Sequence, residues 1–510
     1  MTTPNPSQTT VGARRRWVAL PALCLAGFVI QLDVTIVNVA LPTIQHQLYA
    51  APSALEWIVS GYALGLAALI PLMGALGDRL GHRPVLLAGL VVFGLCSAAA
   101  ALAPNPGTLV GARIGQGVGG AGILALTLAV LTDAYPPEQR GHAIGWWAAI
   151  GGIGFGAGPI LGGLLLSAFG WATIFWANLP IVAVTVILIL LTVPGAAEAS
   201  EARPPLDVPG VVLASVGLAA VTLGLITATD VPWAPARTLV PLVVGGIVLA
   251  AFVQWQYRAG HPLIPKSVRS NAAFLGACFI YFTSYLAFGG MLYYVTLMYQ
   301  NLLGWSALQT GLSWLLMNLP FLSAAQMAGK LSQGFTPRAI VTTGCAAGAL
   351  GVGTLSALTP TSPFTVAGVG YVVAGIGFGL LVPGITQVAM RDVAGPVAGA
   401  ASALLNSSRQ LGTAVGLALV GAVGAAATQH TWTTSRFGDT SSGSASIATG
   451  NLQGIPAHMQ DTARSAFETG YHVALGLCTA SLLTAVGVSL RVLKQRTPRT
   501  GSHRTKEPSL

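Results

Sequence analysis

The sequence predicts an all-α polytopic membrane protein with fourteen transmembrane helices, arranged as two six-helix bundles plus two inserted helices. Its 510 residues are 53% hydrophobic and only 7% charged, whereas soluble domains carry about 25% charged residues. The mean hydropathy is +0.71, and the apolar residues form long blocks that approach or exceed the ~20 residues a spanning helix needs. These observations exclude a water-soluble fold and indicate one continuous membrane unit.

The apolar blocks divide the chain into two sets of six predicted spans around a central pair. The first six lie at about 17–41, 54–73, 84–103, 108–131, 142–166 and 171–193. The central pair lies at about 208–228 and 238–256. The last six lie at about 272–298, 310–329, 338–358, 364–389, 399–425 and 469–491. The first run reaches Val39 and is too long for the core of a signal peptide, so we expect the chain to keep it as span 1.

The same map predicts the organisation of the whole chain. It gives a cytoplasmic N-terminal tail at 1–16, an N-terminal six-helix bundle at 17–193, two inserted helices with their linkers at 194–271, a C-terminal six-helix bundle at 272–491 and a basic cytoplasmic tail at 492–510. The longest polar stretch, 428–468, is rich in Ser, Thr and Gly between spans 13 and 14. Its composition predicts a mobile extracellular loop.

Positive charge predicts the orientation of the chain. The formal net charge is +10, but the cations lie between apolar runs and form no basic stripe with interleaved aromatics, which argues against a nucleic-acid partner. Arg113 and Arg409 lie inside spans, and Arg237, Arg436 and Arg464 lie on the side away from the termini. All other Lys and Arg share the side of the termini, which is therefore predicted to be cytoplasmic. Arg outnumbers Lys 20 to 4, as in GC-rich bacterial genes, so the predicted location is the bacterial cytoplasmic (inner) membrane.

Asp33 is the only carboxylate that lies deep inside an apolar run. A charge near the bilayer centre costs roughly 2.5 to 3.5 kcal/mol on insertion scales, so such a residue indicates a function. A carboxylate that takes up and releases a proton suggests ion-coupled transport, and an acid kept for packing or insertion is the alternative. The helical rise of ~1.5 Å per residue places Asp33 about 12 Å, and Arg113 about 7 to 8 Å, below the outer ends of their spans. We expect the two side chains to meet, as a coupling pair or as a permanent structural ion pair.

An internal repeat relates the two sets of six spans. The stretch GALGDRLGHRPVLLAG at 74–89 joins spans 2 and 3, and GKLSQGFTPRAIVTTG at 329–344 joins spans 10 and 11. The ungapped matches are Gly74 with Gly329, Leu76 with Leu331, Arg83 with Arg338 and Gly89 with Gly344. Both copies occupy the second loop of a six-span set. Two parallel repeats with a site between them suit alternating access by rocking of one half against the other.

The first copy resembles the signature of the major facilitator superfamily, and more closely that of its fourteen-span drug:proton antiporter branch. The signature here is Gly74-x-Leu76-Gly77-Asp78-Arg79-x-Gly81-His82-Arg83. The resemblance implies a major-facilitator fold, in which this loop gates the cytoplasmic side by pairing with an acid at the end of span 4 and with a neighbouring helix terminus. The predicted gate residues are Gly74, Asp78, Arg79, Gly81, Arg83 and Asp133. A topogenic loop with solvated charges is the alternative.

Span 5 carries a second motif of that branch. The pattern Gly154-x-x-x-Gly158-Pro159-x-x-Gly162-Gly163 matches the family's antiporter signature at every defined position. Small residues at this spacing let helices approach closely, and proline lacks the backbone N–H that a straight helix uses. The resemblance implies a helix interface that bends during exchange and seals against leak. A generic small-residue packing face is the alternative.

Three further stretches resemble the same branch, so the resemblance covers nearly the whole chain. They are LDVTIVNVALP in span 1, WATIFWANLP entering span 6 and GAASALLNSSRQLGTAVG in span 13. The last stretch contains Arg409, for which the sequence indicates no partner.

Polar and aromatic residues within the spans are candidates for a substrate cavity. They are Gln31, Asn38, Gln116, Tyr281, Tyr285, Asn318 and Asn406. Aromatic rings bind flat or cationic ligands, although they also lie at membrane interfaces. No carboxylate lies deep in spans 9–14, which argues against dications and favours neutral or monocationic amphiphiles.

The residues and the resemblance together predict a proton-coupled antiporter that exports hydrophobic drugs or antibiotics. Asp33 is its predicted proton carrier and Arg113 the electrostatic partner. Protons are the expected coupling ions, and no cofactor or metal is expected because the sequence has neither a GxxxxGKS/T loop nor a His/Cys cluster. The expected partners are a small amphiphilic substrate and the lipid bilayer, and the protein is predicted to be a monomer and not an enzyme. The alternatives are a proton-coupled or facilitative transporter of a specific metabolite, and a non-transporting receptor or scaffold.

Overall fold

The structure of the chain is a computed structural model. It describes residues 6–50, 52–193, 207–230, 235–332, 334–391, 393, 397–435, 447–450, 452 and 455–493. All regular secondary structure in these ranges is helical, so the predicted all-α class is confirmed.

We label the long helices α1 to α14 in chain order. The first six are α1 (Pro6–Leu48), α2 (Pro52–Leu80), α3 (His82–Ala101), α4 (Pro106–Ala134), α5 (Pro137–Phe169) and α6 (Thr173–Thr192, interrupted at Ala177). The inserted pair is α7 (Val208–Asp230) and α8 (Pro235–Arg258). The last six are α9 (Ala272–Leu302), α10 (Leu315–Leu331), α11 (Pro337–Ser356), α12 (Phe364–Met390), α13 (Ala398–Thr433) and α14 (Ala457–Val492). Short helices Lys266–Arg269 and Ala307–Ser313 precede α9 and α10.

Capping residues and glycines set several of the helix ends. Asn105 precedes α4, and its side chain accepts a hydrogen bond from the backbone N–H of Thr108 at 2.9 Å, which satisfies a donor that the helix itself leaves free. Between α2 and α3 the chain turns at Gly81, whose φ of 101° only glycine adopts without strain. The break between α2 and α3 is therefore set by the glycine at position 81.

Twelve helices in the described part of the chain are long and apolar enough to cross a membrane, or thirteen if the bent pair Gln139–Gly158 and Ile160–Phe169 counts as one span. The two pieces of this pair meet at 44°, at the position of Pro159, where the helix lacks one backbone donor. The remaining predicted span corresponds to α10, which has 17 residues and is shorter than the ~20 needed to span a bilayer. Multiple spans are thus present, and the count of fourteen stays a prediction.

The two halves of the chain use the same pairs of helices. In the N-terminal half, α1 packs on α5 and α6, and α4 packs on α2 and α3. In the C-terminal half, α9 packs on α13 and α14, and α12 packs on α10 and α11. Each pair in the first half has its counterpart eight helices later in the second half, in agreement with the internal repeat seen in the sequence. The halves meet through α2 with α13 and through α5 with α10, which are equivalent contacts under the same repeat.

The inserted helices form a hairpin that packs against α2 through α7. Asp207, just before α7, joins the two helices of the hairpin. Its carboxylate accepts hydrogen bonds from Trp255 Nε1 at 2.8 Å and Gln256 Nε2 at 3.0 Å, both on α8. It also accepts from the backbone N–H groups of Gly210 and Leu263, both at 2.9 Å. Burial acts to raise the pKa of Asp207, but these four bonds favour the ionised form and the net pKa lies below its usual value.

Helices extend into two segments that the sequence analysis placed outside them. Helix α1 begins at Pro6, inside the predicted tail, and α13 and α14 extend into the predicted loop 428–468, to Thr433 and from Ala457. The sequence of this loop is too polar to predict a span. Some of its residues are nevertheless buried together in a small cluster, which consists of Trp432, Ile447, Ala463 and Ala466. The rest of the predicted C-terminal tail after Leu493 lies outside the described residues, as do residues 436–446 of the loop.

Candidate functional site

Asp33 and Arg113 form a buried ion pair between α1 and α4. Nη1 of Arg113 donates to Oδ2 of Asp33 at 2.6 Å. The relative exposure of Asp33 is 0% and that of Arg113 is 1%, so solvent does not screen the pair. Removing one partner of a buried pair leaves an uncompensated charge and costs about 3 to 5 kcal/mol. Any change in the charge of Asp33 must therefore alter the surroundings of Arg113.

Side chains from α3, α4 and α6 complete the surroundings of the Asp33 carboxylate. Nδ2 of Asn178 donates to Oδ1 of Asp33 at 2.9 Å, and Nε2 of Gln116 approaches the same oxygen at 3.4 Å. Gln116 also donates to Oγ of Ser97 at 2.7 Å. The three groups in contact with the carboxylate are all donors, and an ionised carboxylate is acceptor-only. This arrangement is that of a deprotonated Asp33.

Arg113 stands between Asp33 and an internal cavity. Its Nε donates to the carbonyl of Ile58 at 2.9 Å, and its guanidinium lies 4.4 Å from the centroid of the Tyr62 ring, a cation–π distance. Arg113 and Tyr62 both line the cavity, whereas Asp33 does not. A molecule in the cavity would therefore touch Arg113 directly and sense Asp33 only through it.

The cavity lies between the two halves of the protein and has a volume of about 510 Å³. Trp147 and Phe155 line it from the N-terminal half, and Tyr285, Phe288 and Phe378 line it from the C-terminal half. A mostly apolar and aromatic lining with a few polar groups is typical of sites for drug-sized molecules. Its lining on α2 comes from the half nearer Pro52, away from the loop that joins α2 to α3.

Four of the seven predicted cavity residues lie at this site. Gln31, Tyr285 and Asn318 line the cavity. Gln116 lies behind the lining and belongs to the hydrogen-bond network of Asp33. The polar part of the predicted site is therefore divided between the cavity wall and the buried ion pair.

The other three predicted cavity residues do not line it. Asn38 is exposed and bonds the carbonyl of Val34 at 3.3 Å. The ring of Tyr281 packs edge-on against that of Tyr285 at 5.3 Å, and Asn406 donates to the carbonyl of Leu124 at 3.2 Å, which joins α13 to α4. Each of the three lies about one helical turn from a residue that lines the cavity. The spacing of residues in the sequence does not show how far the cavity extends along each helix.

Asp78 joins the N-terminal half to the C-terminal half at the loop between α2 and α3. Its carboxylate accepts hydrogen bonds from the backbone N–H groups of Gly399 at 2.7 Å and Ala400 at 2.8 Å. These groups open α13, where the helix dipole favours a negative charge. One turn earlier, a Cβ on Gly74 would lie 2.7 Å from the Gly399 carbonyl oxygen. Glycine at 74 thus lets α2 approach α13 closely enough for Asp78 to bind the helix terminus.

His82 connects this contact to the end of α4. Its Nε2 lies 2.9 Å from Oδ1 of Asp78, and its Nδ1 lies 2.6 Å from Oδ2 of Asp133. Two ionised carboxylates can only accept, so both ring nitrogens must donate and His82 is an imidazolium in this arrangement. Asp78 and Asp133 are thus brought together, as the resemblance implies, by a residue that was not among the predicted gate residues.

The two arginines of the loop, Arg79 and Arg83, differ in their surroundings. Arg83 donates to the carbonyl of Leu190 near the end of α6 at 2.9 Å, where a cation is favourable because the last carbonyls of a helix carry partial negative charge. Arg79 is exposed in the last turn of α2. The loop therefore contacts helix ends in both halves of the protein.

The glycine motif of α5 forms the interface with α1. A Cβ on Gly154 would lie 2.5 Å from the Phe28 carbonyl oxygen, and one on Gly158 would overlap Oγ1 of Thr35. Oγ1 of Thr35 donates across the same interface to the Phe155 carbonyl at 3.0 Å. Gly162 faces Ile36 at 3.0 Å, whereas Gly163 has nothing within 4 Å of an added Cβ. The motif therefore packs against the segment of α1 that carries Asp33.

Sequence reasoning missed three residues of these sites. Asn178 lay within the quoted stretch WATIFWANLP, and a lone amide at the start of an apolar helix was the signal available. His82 lay inside the loop signature between a glycine and an arginine. Tyr62 gave no signal, because an aromatic residue in a span is ordinary.

The geometry can be compared with proteins of known sequence and structure. The family model described as Major Facilitator Superfamily matches residues 23–417. The chain belongs to the major facilitator superfamily. The superfamily consists of membrane transporters, and the repeat of paired helices, the cavity between the halves and the Asp78 contact are features of this member. The predicted superfamily and its helical fold are thus confirmed, and the fourteen-span branch stays a prediction.

Relatives and solved structures within the superfamily are similar over most of the chain. The methylenomycin A resistance protein of Streptomyces coelicolor is 35% identical over 82% of this chain and 88% of its own length. The tetracenomycin C resistance and export protein of Streptomyces glaucescens is 32% identical over 80% of this chain and 76% of its own. The crystal structure of the human transporter MFSD10 superposes with a TM-score of 0.65 over 93% of this chain and 99% of its own, at 16% identity. At that identity the last likeness concerns the fold only.

Proposed function

We propose that this protein is a proton-driven antiporter that exports antibiotics or similar hydrophobic drugs across the bacterial cytoplasmic membrane. The observation that carries the proposal is the fully buried Asp33–Arg113 pair directly behind a cavity of drug size. A buried carboxylate in a spanning helix is costly unless it has a function. Resistance and export are the roles named for two relatives that cover most of this chain, which supports the direction of transport.

Proton coupling follows from how Asp33 is held. Three donors surround the ionised carboxylate. A proton on Asp33 would remove the negative charge that strengthens all three hydrogen bonds and would add an O–H donor among them. Arg113 would then lose its counter-ion beside the cavity, and the contacts among α1, α4 and α6 would weaken. Protonation is therefore tied to a rearrangement of the N-terminal half. Each proton that enters contributes about 2.3 kcal/mol per 100 mV of membrane potential.

Alternating access requires that the contacts around Asp78 break and reform. They hold α2 to the start of α13, beyond the part of α2 that lines the cavity. Gly329 makes the equivalent contact in the other half, where a Cβ would lie 3.0 Å from the Gly141 carbonyl oxygen. With both termini cytoplasmic, as the distribution of cations predicts, the end that carries these contacts faces the cytoplasm and the conformation is closed on that side. We further propose that a single chain carries the whole transport cycle, because both halves that enclose the cavity belong to the same chain.

The experiment is proton-driven uptake of drug into inverted membrane vesicles, with a susceptibility panel in a pump-deficient host. Wild type should accumulate substrate in the vesicles and protect the host, and Asp33→Asn should do neither, because its amide cannot exchange a proton. The control is Asp461→Asn, an exposed carboxylate near the start of α14, which should behave as wild type. Equal protection by Asp33→Asn, or efflux that continues after voltage and pH difference are both collapsed, would refute the proposal. Substrate movement in the opposite direction would indicate an uptake transporter.

A further inference from the structure

Arg409 is a buried cation with no carboxylate partner among the residues that the structure describes. It is 7% exposed, and it lines the cavity from α13. Within the described part of the chain, no acidic side chain lies within the 4.0 Å that defines an ion pair with it. Its guanidinium instead lies 5.5 Å from the centroid of the Tyr285 ring and interacts with the Tyr281 hydroxyl. Arginine cannot be deprotonated in a protein, so its positive charge persists inside the bundle.

The charge of the cavity is therefore positive. Asp33 neutralises Arg113, the only other charged residue on the cavity wall among the described residues. Arg409 has no such compensation, and an unpaired buried charge is unfavourable. A cationic ligand would be repelled by it, and an anionic ligand would supply the missing partner. Carboxylates match the planar fork of a guanidinium with two charge-assisted hydrogen bonds.

Aromatic rings adjoin the same arginine. Tyr285 and Phe288 lie 5.8 Å apart, Phe288 and Phe378 lie 5.4 Å apart, and Phe155 of the opposite half lies 5.9 Å from Phe288. All four rings line the cavity. They form a surface for a flat apolar body next to a fixed positive charge, which is the complement of an amphiphilic anion.

We propose that the cavity selects amphiphilic anions, with Arg409 holding the anionic group and the rings around Phe288 holding the apolar body. The proposal rests on the proposed export function and names its substrate class. It replaces the expectation of neutral or monocationic substrates, which depended on the absence of carboxylates from spans 9–14 and gave Arg409 no part. The proton carrier Asp33 and the anion anchor Arg409 lie on opposite halves. Arg113 lines the same cavity as Arg409 and pairs with Asp33, so it links the bound anion to the proton.

Binding is tested with three probes that share one ring system: pyrenebutyrate, its methyl ester and pyrenebutylammonium. The purified full-length protein is placed in phosphatidylcholine nanodiscs, which carry no net surface charge, and energy transfer from tryptophan to pyrene is measured against empty nanodiscs. Trp147 on the cavity wall is a suitable donor. Wild type should bind pyrenebutyrate at least tenfold more tightly than pyrenebutylammonium, with the ester between them.

Three variants test whether Arg409 causes the preference for the anionic probe. Arg409→Gln should lose at least tenfold in affinity for pyrenebutyrate and change little towards the ester, and Arg409→Lys should keep the preference for the anion. Arg464→Gln, an exposed arginine on α14, should bind all three probes as wild type does. An unchanged anion preference in folded Arg409→Gln would overturn the proposal. So would equal or tighter binding of pyrenebutylammonium by wild type, and that comparison does not depend on any variant folding.

Voltage separates this proposal from the export function itself. Each exported anion adds its own charge to that of the incoming protons, so an inside-negative potential should drive export of pyrenebutyrate more strongly than export of its ester. Proton-driven export of the ester without any preference for the anion would refute the charge selectivity and leave the exporter intact. Absence of proton-driven transport for every probe and drug, with tight binding of pyrenebutyrate, would refute the export function instead.

Discussion

At the scale of single residues, the properties of this protein depend on what each buried polar group touches. Asp33 is acceptable inside the bundle because Arg113, Asn178 and Gln116 all direct donors at it. Hydrogen bonds to a charged group contribute about 1.5 to 3 kcal/mol each. Asn178 is the uncharged member with the shortest bond to the carboxylate, so it stabilises ionised Asp33 without supplying a charge.

Asn178→Ala should lower the rate of efflux several-fold. The variant removes the hydrogen bond at 2.9 Å that joins α6 to the Asp33 carboxylate on α1, and a hydrogen bond to a charged group contributes about 1.5 to 3 kcal/mol. Drug uptake into inverted vesicles measures the loss. Asn38→Ala is the matched control, because Asn38 is an exposed amide on the same helix as Asp33 and bonds only backbone among the contacts described above. Equal uptake rates for wild type and Asn178→Ala would contradict the role of Asn178.

At the scale of helices, the close contact between α1 and α5 links the position of one helix to that of the other. The α5 motif places Gly154, Gly158 and Gly162 against α1, while Gly163 faces open space. Without side chains at the first three positions, α1 and α5 share a tight interface, and the 44° bend of α5 follows Gly158 directly. The helix that carries Asp33 is therefore packed along the helix whose axis changes direction.

Gly158→Ala and Gly163→Ala form a pair within one motif. The first adds a Cβ that overlaps Thr35 and should force α1 from α5, at a cost of about 1 to 3 kcal/mol for overpacking, with loss of efflux. The second adds a Cβ with nothing within 4 Å and should change stability by less than about 0.5 kcal/mol. Thermal unfolding in detergent and vesicle uptake measure both effects. If Gly163→Ala proved as damaging as Gly158→Ala, close packing on α1 would not be the function of the motif.

At the scale of the whole molecule, two half-structures are held in one of their arrangements by contacts at one end. Asp78 binds the start of α13, and His82 links Asp78 to Asp133 on α4. The corresponding loop of the second half has Gln333 at the aligned position of Asp78, so the repeat is not symmetric in charge. The contact of a carboxylate with a helix terminus of the other half is therefore a property of the first loop.

His82→Ala should open the end of the molecule that carries the loop between α2 and α3, because Asp78 and Asp133 would face each other without the intervening cation. The readout is the rate of maleimide labelling of a cysteine placed at Ala403, which is 2% exposed on α13 facing α2. We expect labelling to rise several-fold over the same cysteine in wild type, and His82→Arg to restore protection because it keeps a cation there. His46→Ala, an exposed histidine of α1, is the control. Unchanged labelling in His82→Ala would show that the Asp78 contact closes this side without it.

The sequence by itself determined that this is a helical membrane protein with a repeated half. It also predicted that Asp33 and Arg113 meet inside the first half. Hydrophobic blocks are local and additive along the chain, so composition and spacing suffice to place helices, and a lone buried carboxylate stands out wherever it lies. Asp33 and Arg113 could be matched because their depths follow from helical rise alone.

Only the tertiary structure decided which partners meet across helices. The contact of Asp78 with Gly399 joins residues far apart in the chain, and whether Tyr281 or Tyr285 faces the cavity depends on how deep the cavity extends along α9. These outcomes follow from the rotation, tilt and closeness of whole helices, which side-chain packing sets collectively and no short motif encodes. The absence of an acidic partner for Arg409 among the described residues is of this kind, because it shows only once the helices around that residue are packed.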